Sequence, residues 1–232
     1  MGELTNALRR EPPGLHAGGT EYWGLAWEAL EWLEREMRPG MATLETGSGA
    51  STLVFAASGA VHEAVTPASD EEQRFRAEAE RRGIDPSSVT FRIGLSHEVL
   101  PALDPRPLDL VLIDGAHGFP FPVLDWWLVH DRIKVGGALL VDDAYIPAVN
   151  ALVSNLRQMR GWEFEGAPGG RTAVFRRVAP DSPIQDAMQE SWAPMFNYLS
   201  PPGRAVQSAR FRLLDRGPLA GFVRSRIQRR SG

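Results

Sequence analysis

The sequence has no cysteine, a single lysine and no long apolar run. Without cysteine, the protein cannot form disulfide bonds, thiolate metal sites or a cysteine nucleophile. Lys134 is the one lysine among 25 lysine and arginine residues, so a mechanism with a lysine base or Schiff base would depend on that side chain. No segment approaches the ~20 apolar residues of a membrane-spanning helix, and the N-terminal region lacks the apolar core of a signal peptide. We therefore expect a cytoplasmic protein without a membrane span.

The charge of the chain is distributed unevenly. The net charge is −4, yet the residues from Leu199 onward contain eight arginines and one acidic residue, Asp215. This tail therefore carries about +7 and everything before it about −11. With 232 residues, 43% of them hydrophobic, the chain can bury the core of one α/β domain with appendages. We divide it into an N-terminal arm and cap helix (1–40), a core (41–178) and a basic, proline- and arginine-rich C-terminal appendage (179–232).

Strand and helix patterns alternate through the core. The predicted strands are 43–45, 61–65, 89–93, 108–113, 138–141, 162–164 and 172–177, the last two forming an antiparallel pair. Alternation at this spacing indicates βαβ units. We therefore predict an α/β fold with a Rossmann-like, seven-stranded, mostly parallel sheet and helices on both faces. Residues 1–19 are predicted to be a loose arm and residues 20–37 a helix.

The most informative motif follows the first predicted strand. An apolar run ends in an acid, two glycines alternate with other small residues, and a helical pattern follows; the positions concerned are Glu45, Gly47, Gly49 and Ser51. A strand, a tight turn and a helix N-terminus form the usual nucleotide site of an α/β fold. The dinucleotide fingerprint fits less well, because Thr52 takes the place of its third small residue. An ordinary glycine turn is the alternative that needs no ligand.

Three carboxylates follow two strands that we expect to be neighbours. Asp114 follows the strand 108–113, and Asp142 and Asp143 follow the strand 138–141. Because ligands of parallel α/β sheets collect at the carboxyl ends of the strands, these side chains should meet there. Such a cluster repels itself unless it is protonated, paired or bound to a cation, and oxygen ligands suit Mg²⁺, Mn²⁺ or Ca²⁺. In the alternative, Asp114 alone contacts a cofactor and Asp143 caps a turn.

These segments together resemble the class I S-adenosylmethionine (SAM) methyltransferases. The spacing Glu-x-Gly-x-Gly-x-Ser resembles their first motif, and segments 110–117 and 134–143 are similar to the second half of metal-dependent O-methyltransferases of small molecules. Those include the catechol, caffeoyl-CoA and antibiotic-sugar enzymes, and the resemblance covers roughly residues 25–178. It implies SAM as the cofactor, a small-molecule hydroxyl as the methyl acceptor and a cation such as Mg²⁺. The cation ligands that it implies are Asp114, Asp142 and Asp143.

The same resemblance assigns roles to single residues. The cofactor-binding positions that it implies are Glu45, Gly47, Gly49, Ser51, Thr66, Ser96 and Asp114. Members of this family usually end the second strand with an acid that binds the ribose, but this chain has Thr66 there, and Leu95 or Ser96 replaces the acid after the third strand. His117 stands where the catechol enzymes carry a lysine base and can accept a proton near neutral pH, so His117 and Asp114 are the expected catalytic residues. A histidine that only caps the loop is the alternative.

Two other function classes stay open. The missing acids motivate, as an alternative, a catalytically degenerate methyltransferase-like binding protein whose basic tail engages a partner. A nicotinamide-dependent oxidoreductase is disfavoured by Thr52 and Thr66. The tail has few aromatic residues, which disfavours nucleic-acid binding, and the chain lacks the Asn-Pro-Pro-Tyr-like motif of SAM enzymes that methylate exocyclic nitrogens. We therefore expect a small-molecule substrate and leave open whether the protein forms a homodimer.

Overall fold

The structure, a computed structural model, describes residues 2–15 and 24–180. Its helices are α1 (Glu3–Arg10), α2 (Trp27–Glu36), α3 (Ala50–Ala57), α4 (Ser69–Arg81), α5 (Ser96–Val99), α6 (Phe121–Val129) and α7 (Pro147–Leu156). Its strands are β1 (Ala42–Thr46), β2 (Val61–Thr66), β3 (Val89–Ile93), β4 (Leu108–Ile113), β5 (Ile133–Val141), β6 (Trp162–Gly166) and β7 (Ala173–Arg177). The predicted basic appendage lies outside the described residues from position 181 onward.

The seven strands form one sheet in the order β3-β2-β1-β4-β5-β7-β6. The first five strands pair in parallel, and β7 lies antiparallel between β5 and β6. This confirms the predicted Rossmann-like, mostly parallel sheet with an antiparallel closing pair. None of the helices within the described residues is long and apolar enough to cross a lipid bilayer.

Two hydrophobic cores cover the two faces of the sheet. Alternate side chains of a strand point to opposite faces. In β4, Leu110 and Leu112 therefore enter the core formed with α1–α4, whereas Val111 and Ile113 enter the core formed with α6 and α7. A strand that is buried on both faces needs apolar side chains at consecutive positions, which explains the unbroken apolar run of this segment.

The start of the chain differs from its prediction. Residues predicted as part of a loose arm form α1, and Leu8 is fully buried in the core that α1 shares with α2 and α3. Only the spacing of Leu4 and Leu8 marks this buried face in an otherwise polar segment, so the sequence signal is weak. The predicted helix 20–37 is observed as Trp27–Glu36; residues 24–26 lie outside it, and residues 16–23 are not described.

The boundary between α6 and β5 also differs from its prediction. The helix α6 ends at Val129, and β5 begins at Ile133 instead of the predicted residue 138. The guanidinium group of Arg177 on β7 donates hydrogen bonds to the carbonyl groups of His130, Asp131 and Ile133. These bonds fix the 3₁₀ turn His130–Arg132 and the first residue of β5, so tertiary contacts help to set the boundary.

The first turn of α1 is held by a side chain of α2. Glu34 accepts hydrogen bonds from the backbone N–H groups of Leu4 (3.0 Å) and Thr5 (2.9 Å) and from the Thr5 hydroxyl (2.6 Å). The first N–H groups of a helix have no partner within it, and its N-terminus attracts negative charge. Since an isolated helix of eight residues is marginal in water, this carboxylate fixes α1 to the domain.

We expect Glu34→Ala to lower the free energy of unfolding by about 2 kcal/mol, because it removes the cap of α1. Urea unfolding measures the change. Glu31→Ala is the matched control on the same helix. Among the described residues, its carboxylate pairs with Arg9 at 3.3 Å near the surface, so its loss should cost less than about 1 kcal/mol. Equal losses in the two variants would contradict the assigned role of Glu34.

Candidate functional site

A cavity of about 540 Å³ opens at the carboxyl ends of the parallel strands. Its wall comprises residues 46–51 after β1, 65–68 and Glu71 after β2, 95–97 after β3, 114–117 after β4, and further Gly24, Leu25, Phe121, Asp143, Tyr145 and Arg171. Small-molecule and cofactor sites occupy about 300–1,000 Å³, and in open α/β sheets they lie at this edge. The strand ends that carry the predicted site residues therefore meet around one cavity.

The glycine turn brings the ends of β1 and β4 together. Gly47 has a φ of +90°, and a Cβ atom there would clash with the backbone carbonyl of Asp114. Its N–H group donates to Val65 (2.8 Å), and the N–H group of Asp114 donates to Thr46 (3.0 Å). At the start of α3, the N–H group of Gly49 donates to the side chain of Thr52 (2.9 Å). The turn is thus open to a ligand and fixed to both neighbouring strands.

Glu45 points into the protein and is not part of the cavity wall. It is 1% exposed and accepts a hydrogen bond from Ser51 at Oε2 (2.6 Å) and one from Thr52 at Oε1, and His62 Nε2 lies 3.2 Å from the same Oε1. The hydroxyl of Ser51 is therefore committed to Glu45, although Ser51 reaches the cavity. Within the described residues, Glu45 supports the turn from behind, and we assign it no direct contact with a ligand.

A carboxylate that the sequence analysis missed lies beside Thr66. Glu71, in the first turn of α4, accepts hydrogen bonds from Thr66 Oγ1 (2.6 Å) and Ser48 Oγ (2.5 Å) and lines the cavity. The end of β2 therefore has its acid after all, supplied from five residues further along the chain. The sequence signal was the acidic first turn of α4, but only the fold shows which of its three acids turns to the cavity.

The end of β3 offers a mixed surface. Ser96 is half-buried and lines the cavity beside Leu95, whose side chain is 47% exposed. The rings of His97 and Phe121 also line it and contact each other at 5.5 Å between centroids. A hydroxyl among flat and apolar groups suits a planar heterocycle with polar edges.

Asp114, His117 and Asp143 form a cluster of possible metal ligands. One ligand atom from each lies within 4.8 Å of the others. His117 Nε2 is 3.6 Å from Asp114 Oδ1 and 3.5 Å from Asp143 Oδ2. Asp143 has a φ of +54°, a conformation that costs free energy for residues with a side chain and is frequent at functional sites.

Asp142 does not join this cluster. Its buried carboxylate accepts hydrogen bonds from Thr172 Oγ1 (2.5 Å) and Arg171 (2.6 Å), and the same guanidinium lies 2.8 Å from Asp143 Oδ1. The cluster therefore differs from the predicted set of cation ligands, since it contains His117 and lacks Asp142. Successive side chains at a strand end diverge, and Arg171 and Thr172, just before β7, take the first of the two aspartates.

The electrostatics of the cluster favour protons on it. Burial, together with the charges of Asp142 and Glu45, raises the pKa of Asp114 to about 7, although His117 opposes the rise. Interaction with the nearby Asp114 carboxylate, aided by the charges of Asp143 and Asp142, raises the pKa of His117, although burial opposes the rise. Carboxylates that gather without enough positive charge bind protons or a cation, so the two compete for this site.

Comparison with known proteins identifies the domain. Residues 44–144 match the family described as "Methyltransferase domain". No curated protein sequence matches the chain.

Several solved structures share the fold at low sequence identity. The O-methyltransferase TomG of Streptomyces achromogenes, in complex with SAM, has 15% identity and a TM-score of 0.57, covering 76% of this chain and 88% of that one. The Bacillus cereus O-methyltransferase, in complex with SAH, has 13% identity and a TM-score of 0.59, with coverages of 77% and 92%. An rRNA methylase of Streptococcus thermophilus has 13% identity and a TM-score of 0.51, with coverages of 65% and 95%.

At these identities the likeness concerns the fold, and the family rests on the matched domain. The matched residues 44–144 run from β1 past the end of β5 and so include the glycine turn, Glu71 and the Asp114–His117–Asp143 cluster. Sheet order, cavity position and domain match agree: residues 44–144 are a methyltransferase domain, and the sheet has the fold of the class I SAM-dependent methyltransferases.

Proposed function

We propose that this protein transfers a methyl group from SAM to a hydroxyl group of a small molecule, with help from a divalent cation. The observation that carries the proposal is the joint position of two features in one cavity. The glycine turn with Glu71 suits the cofactor, and the Asp114–His117–Asp143 cluster suits a hydroxyl that must lose its proton. Methyl transfer needs both reactants held in line at one place.

The residues around the turn fit SAM. Gly47 leaves the backbone open, the N-terminus of α3 attracts the cofactor carboxylate, and Glu71 offers acceptor oxygens to the ribose hydroxyls. The cavity volume of about 540 Å³ is ample for such a ligand. When bound, SAM supplies an electrophilic methyl group on its sulfonium. The chain's own part is to position that group and to exclude water.

The cluster also fits a divalent cation. Asp114 and Asp143 are hard oxygen ligands, and opposite ligands of Mg²⁺ lie about 4.2 Å apart, close to the 4.8 Å limit of the observed group. Arg171 engages one oxygen of Asp143, which leaves Oδ2 directed toward the cluster. When bound, a cation lowers the pKa of a hydroxyl group that it contacts.

We assign the proton transfer to His117. Its Nε2 atom faces Asp114 and Asp143 and, within the described residues, makes no hydrogen bond. An imidazole at this place can take the proton of an acceptor hydroxyl at Nε2, and Asp114 stabilises the resulting positive charge. The raised pKa of His117 has this physical origin.

The relatives support a hydroxyl acceptor only in combination with the cluster. TomG and the Bacillus cereus protein are O-methyltransferases, but an rRNA methylase has the same fold, so the fold by itself does not choose the acceptor. The choice of oxygen comes from the carboxylates and the imidazole beside the cofactor site.

The two alternative functions lose support. The degenerate binding protein was motivated by the absent acids at Thr66 and Leu95, and Glu71 supplies a carboxylate at the first of these two places. A nicotinamide enzyme would need a small residue at Thr52, whose side chain instead bonds to Glu45 and to the Gly49 N–H group.

Calorimetric titration with S-adenosylhomocysteine, with and without Mg²⁺ or Mn²⁺, tests the proposal as a whole. We expect binding in the micromolar range and a separate heat for the cation. Absence of S-adenosylhomocysteine binding would overturn the enzymatic assignment, and absence of cation binding would overturn the metal part alone.

Glu71→Gln should weaken S-adenosylhomocysteine binding about tenfold, because it removes a charged acceptor from the ribose end of the site. Glu72→Gln is the matched control, since the neighbouring carboxylate pairs with Arg76 (2.7 Å) and does not line the cavity. It should leave the affinity within about twofold of the original. Equal affinities in the two variants would remove Glu71 from the cofactor site.

Asp143→Asn should weaken Mn²⁺ binding at least tenfold and leave S-adenosylhomocysteine binding within about twofold. Asparagine tolerates the positive φ of this position, so the charge changes while the backbone is kept. Electron paramagnetic resonance of free Mn²⁺ measures the binding. His117→Ala distinguishes a metal ligand from a general base. We expect this variant to keep its Mn²⁺ affinity within about threefold of the original. A loss as large as that of Asp143→Asn would make His117 a ligand and not the base.

The cation-free protein should become less stable as the pH rises. The pKa of Asp114 is raised from its ordinary value of 3.8 to about 7, so its stabilising contribution is present below pH 3.8 and is lost as the pH approaches and passes 7. The raised pKa of His117 acts in the same direction above pH 6.5. Asp114→Asn should therefore raise the melting temperature, measured with chelator present, more at pH 8 than at pH 5. A difference between the variants that does not change with pH would contradict this account.

A further inference from the structure

Arg171 places a positive charge beside the proposed metal ligands. Its Nη2 atom lies 2.6 Å from Asp142 Oδ2 and 2.8 Å from Asp143 Oδ1. One nitrogen therefore bridges two carboxylates, of which only that of Asp143 belongs to the Asp114–His117–Asp143 cluster. This positive charge has no part in the reaction proposed above.

The pairing of β5 with β7 fixes Arg171 at this place. The two strands are antiparallel, and their ladder ends at the residues just before Asp142 and just after Thr172. Continued by two residues, the same register sets Arg171 opposite Asp143. The N–H group of Ala144 also donates to the backbone carbonyl of Arg171 (2.8 Å). The backbone thus places this arginine beside both aspartates.

Arg171 and Thr172 together occupy the carboxylate of Asp142. This carboxylate is buried, with the guanidinium at Oδ2 and the Thr172 hydroxyl at Oδ1 (2.5 Å), so both of its oxygens have a partner. Breaking a buried ion pair is costly, so a cation cannot easily take Asp142 from these partners. Asp114 and Asp143, by contrast, line the cavity.

The guanidinium itself is accessible from the cavity. Arg171 lines the cavity, and its side chain is 33% exposed. Among the described residues, its Nε atom makes no hydrogen bond, and both aspartates are contacted by the single atom Nη2. The two-nitrogen fork that strengthens arginine–carboxylate pairs is therefore not used, and a single-nitrogen cation such as a lysine ammonium could replace it.

The charge of the cation site follows from this arrangement. A cation at the cluster meets two carboxylates and a nearby guanidinium. Without the guanidinium, Asp142 would be the third carboxylate at this end of the cavity. The number of charged ligands tunes the affinity of a site for a divalent cation, and a like charge nearby opposes binding.

We propose that Arg171 is a positioning residue of the cation site: it holds Asp142 outside the cluster and serves as an internal counter-ion, so that a divalent cation meets two carboxylates in place of three. Arg171 thereby limits the cation affinity and leaves the cation more of its charge for the acceptor hydroxyl. The inference rests on the proposed function and adds to it a determinant of cation binding.

Electron paramagnetic resonance of free Mn²⁺ with the full chain tests the inference. Arg171→Gln removes the charge and keeps an amide that can donate to Asp142, so Mn²⁺ should bind about tenfold more tightly or better. Arg171→Lys keeps a positive charge on one nitrogen and should stay within about threefold of the original. Arg160→Gln is the control for net charge. This exposed arginine follows α7, and its loss should change the affinity by less than about twofold.

Asp142→Asn shows whether Asp142 causes the gain. In the original protein this change should alter Mn²⁺ affinity by about threefold or less, because Arg171 already occupies the carboxylate. Combined with Arg171→Gln, it should weaken Mn²⁺ binding about tenfold relative to Arg171→Gln alone. Equal effects of Asp142→Asn in the two backgrounds overturn the inference.

The melting temperature is a second readout, because Arg171→Gln leaves a buried carboxylate with less compensation. Mn²⁺ should raise it more in this variant than in the original, and an equal or smaller rise overturns the inference. If Arg171→Gln does not fold, Arg171→Lys and Asp142→Asn decide the outcome, and a change beyond about threefold in either overturns the inference.

The same titrations separate this inference from the proposed function. An original protein that binds Mn²⁺, with an Arg171→Gln variant that binds it no more tightly, overturns the inference and leaves the proposed function intact. Binding of Mn²⁺ by Arg171→Gln but not by the original supports the inference and removes the cation from the proposed function. Failure of both to bind Mn²⁺ overturns the inference and the metal part together.

Discussion

The rest of the structure depends on a buried carboxylate at the end of β1. Glu45 is almost fully buried, and its hydrogen-bonding partners come from two different elements: Ser51 and Thr52 on α3, and His62 on β2. Leaving a buried carboxylate unpaired costs several kcal/mol, so separating β1, α3 and β2 would strongly destabilise the fold. The glycine turn lies between Glu45 and Ser51, and the bonds that satisfy the carboxylate therefore also fix the turn. A ligand meets a turn that needs little ordering on binding.

The acidic end of the cavity, formed by Asp114, His117 and Asp143, is less completely paired than Glu45. Asp114 and Asp143 face His117 without the set of donors that Glu45 has, and one guanidinium, that of Arg171, serves two aspartates. Burial and mutual repulsion keep this end ready to take up a proton or a cation. One cavity thus joins a fixed half, suited to binding a cofactor, to an electrostatically unbalanced half, suited to changing the protonation of an acceptor. The methyl transfer proposed above would use both halves.

The sequence predicted the sheet and the strand ends well because both follow from local patterns. The continuous apolar run of β4 and the glycine turn are such patterns, and each strand end fixes where the next polar residue emerges. Side-chain direction is different, since it depends on partners that are distant in sequence. Asp142 was expected among the cation ligands, but Arg171 and Thr172 bind its carboxylate, and it lies outside the Asp114–His117–Asp143 cluster. Glu45 turned inward for the same reason: its donors lie on α3 and β2.

Glu71 shows that a motif compared only position by position along the sequence can miss a residue of the site. The strand-end position holds Thr66, yet the first turn of α4 passes over the end of β2 and places a carboxylate within 2.6 Å of the Thr66 hydroxyl. The positive end of the helix dipole stabilises an acid at this place, so the function of a strand-end acid can move to a helix without loss of charge. For a ligand, the position of the carboxylate in the cavity matters, whichever element carries it. The chemistry of such a cavity is therefore set by which charges the fold brings to the strand ends, and less by the element that carries them.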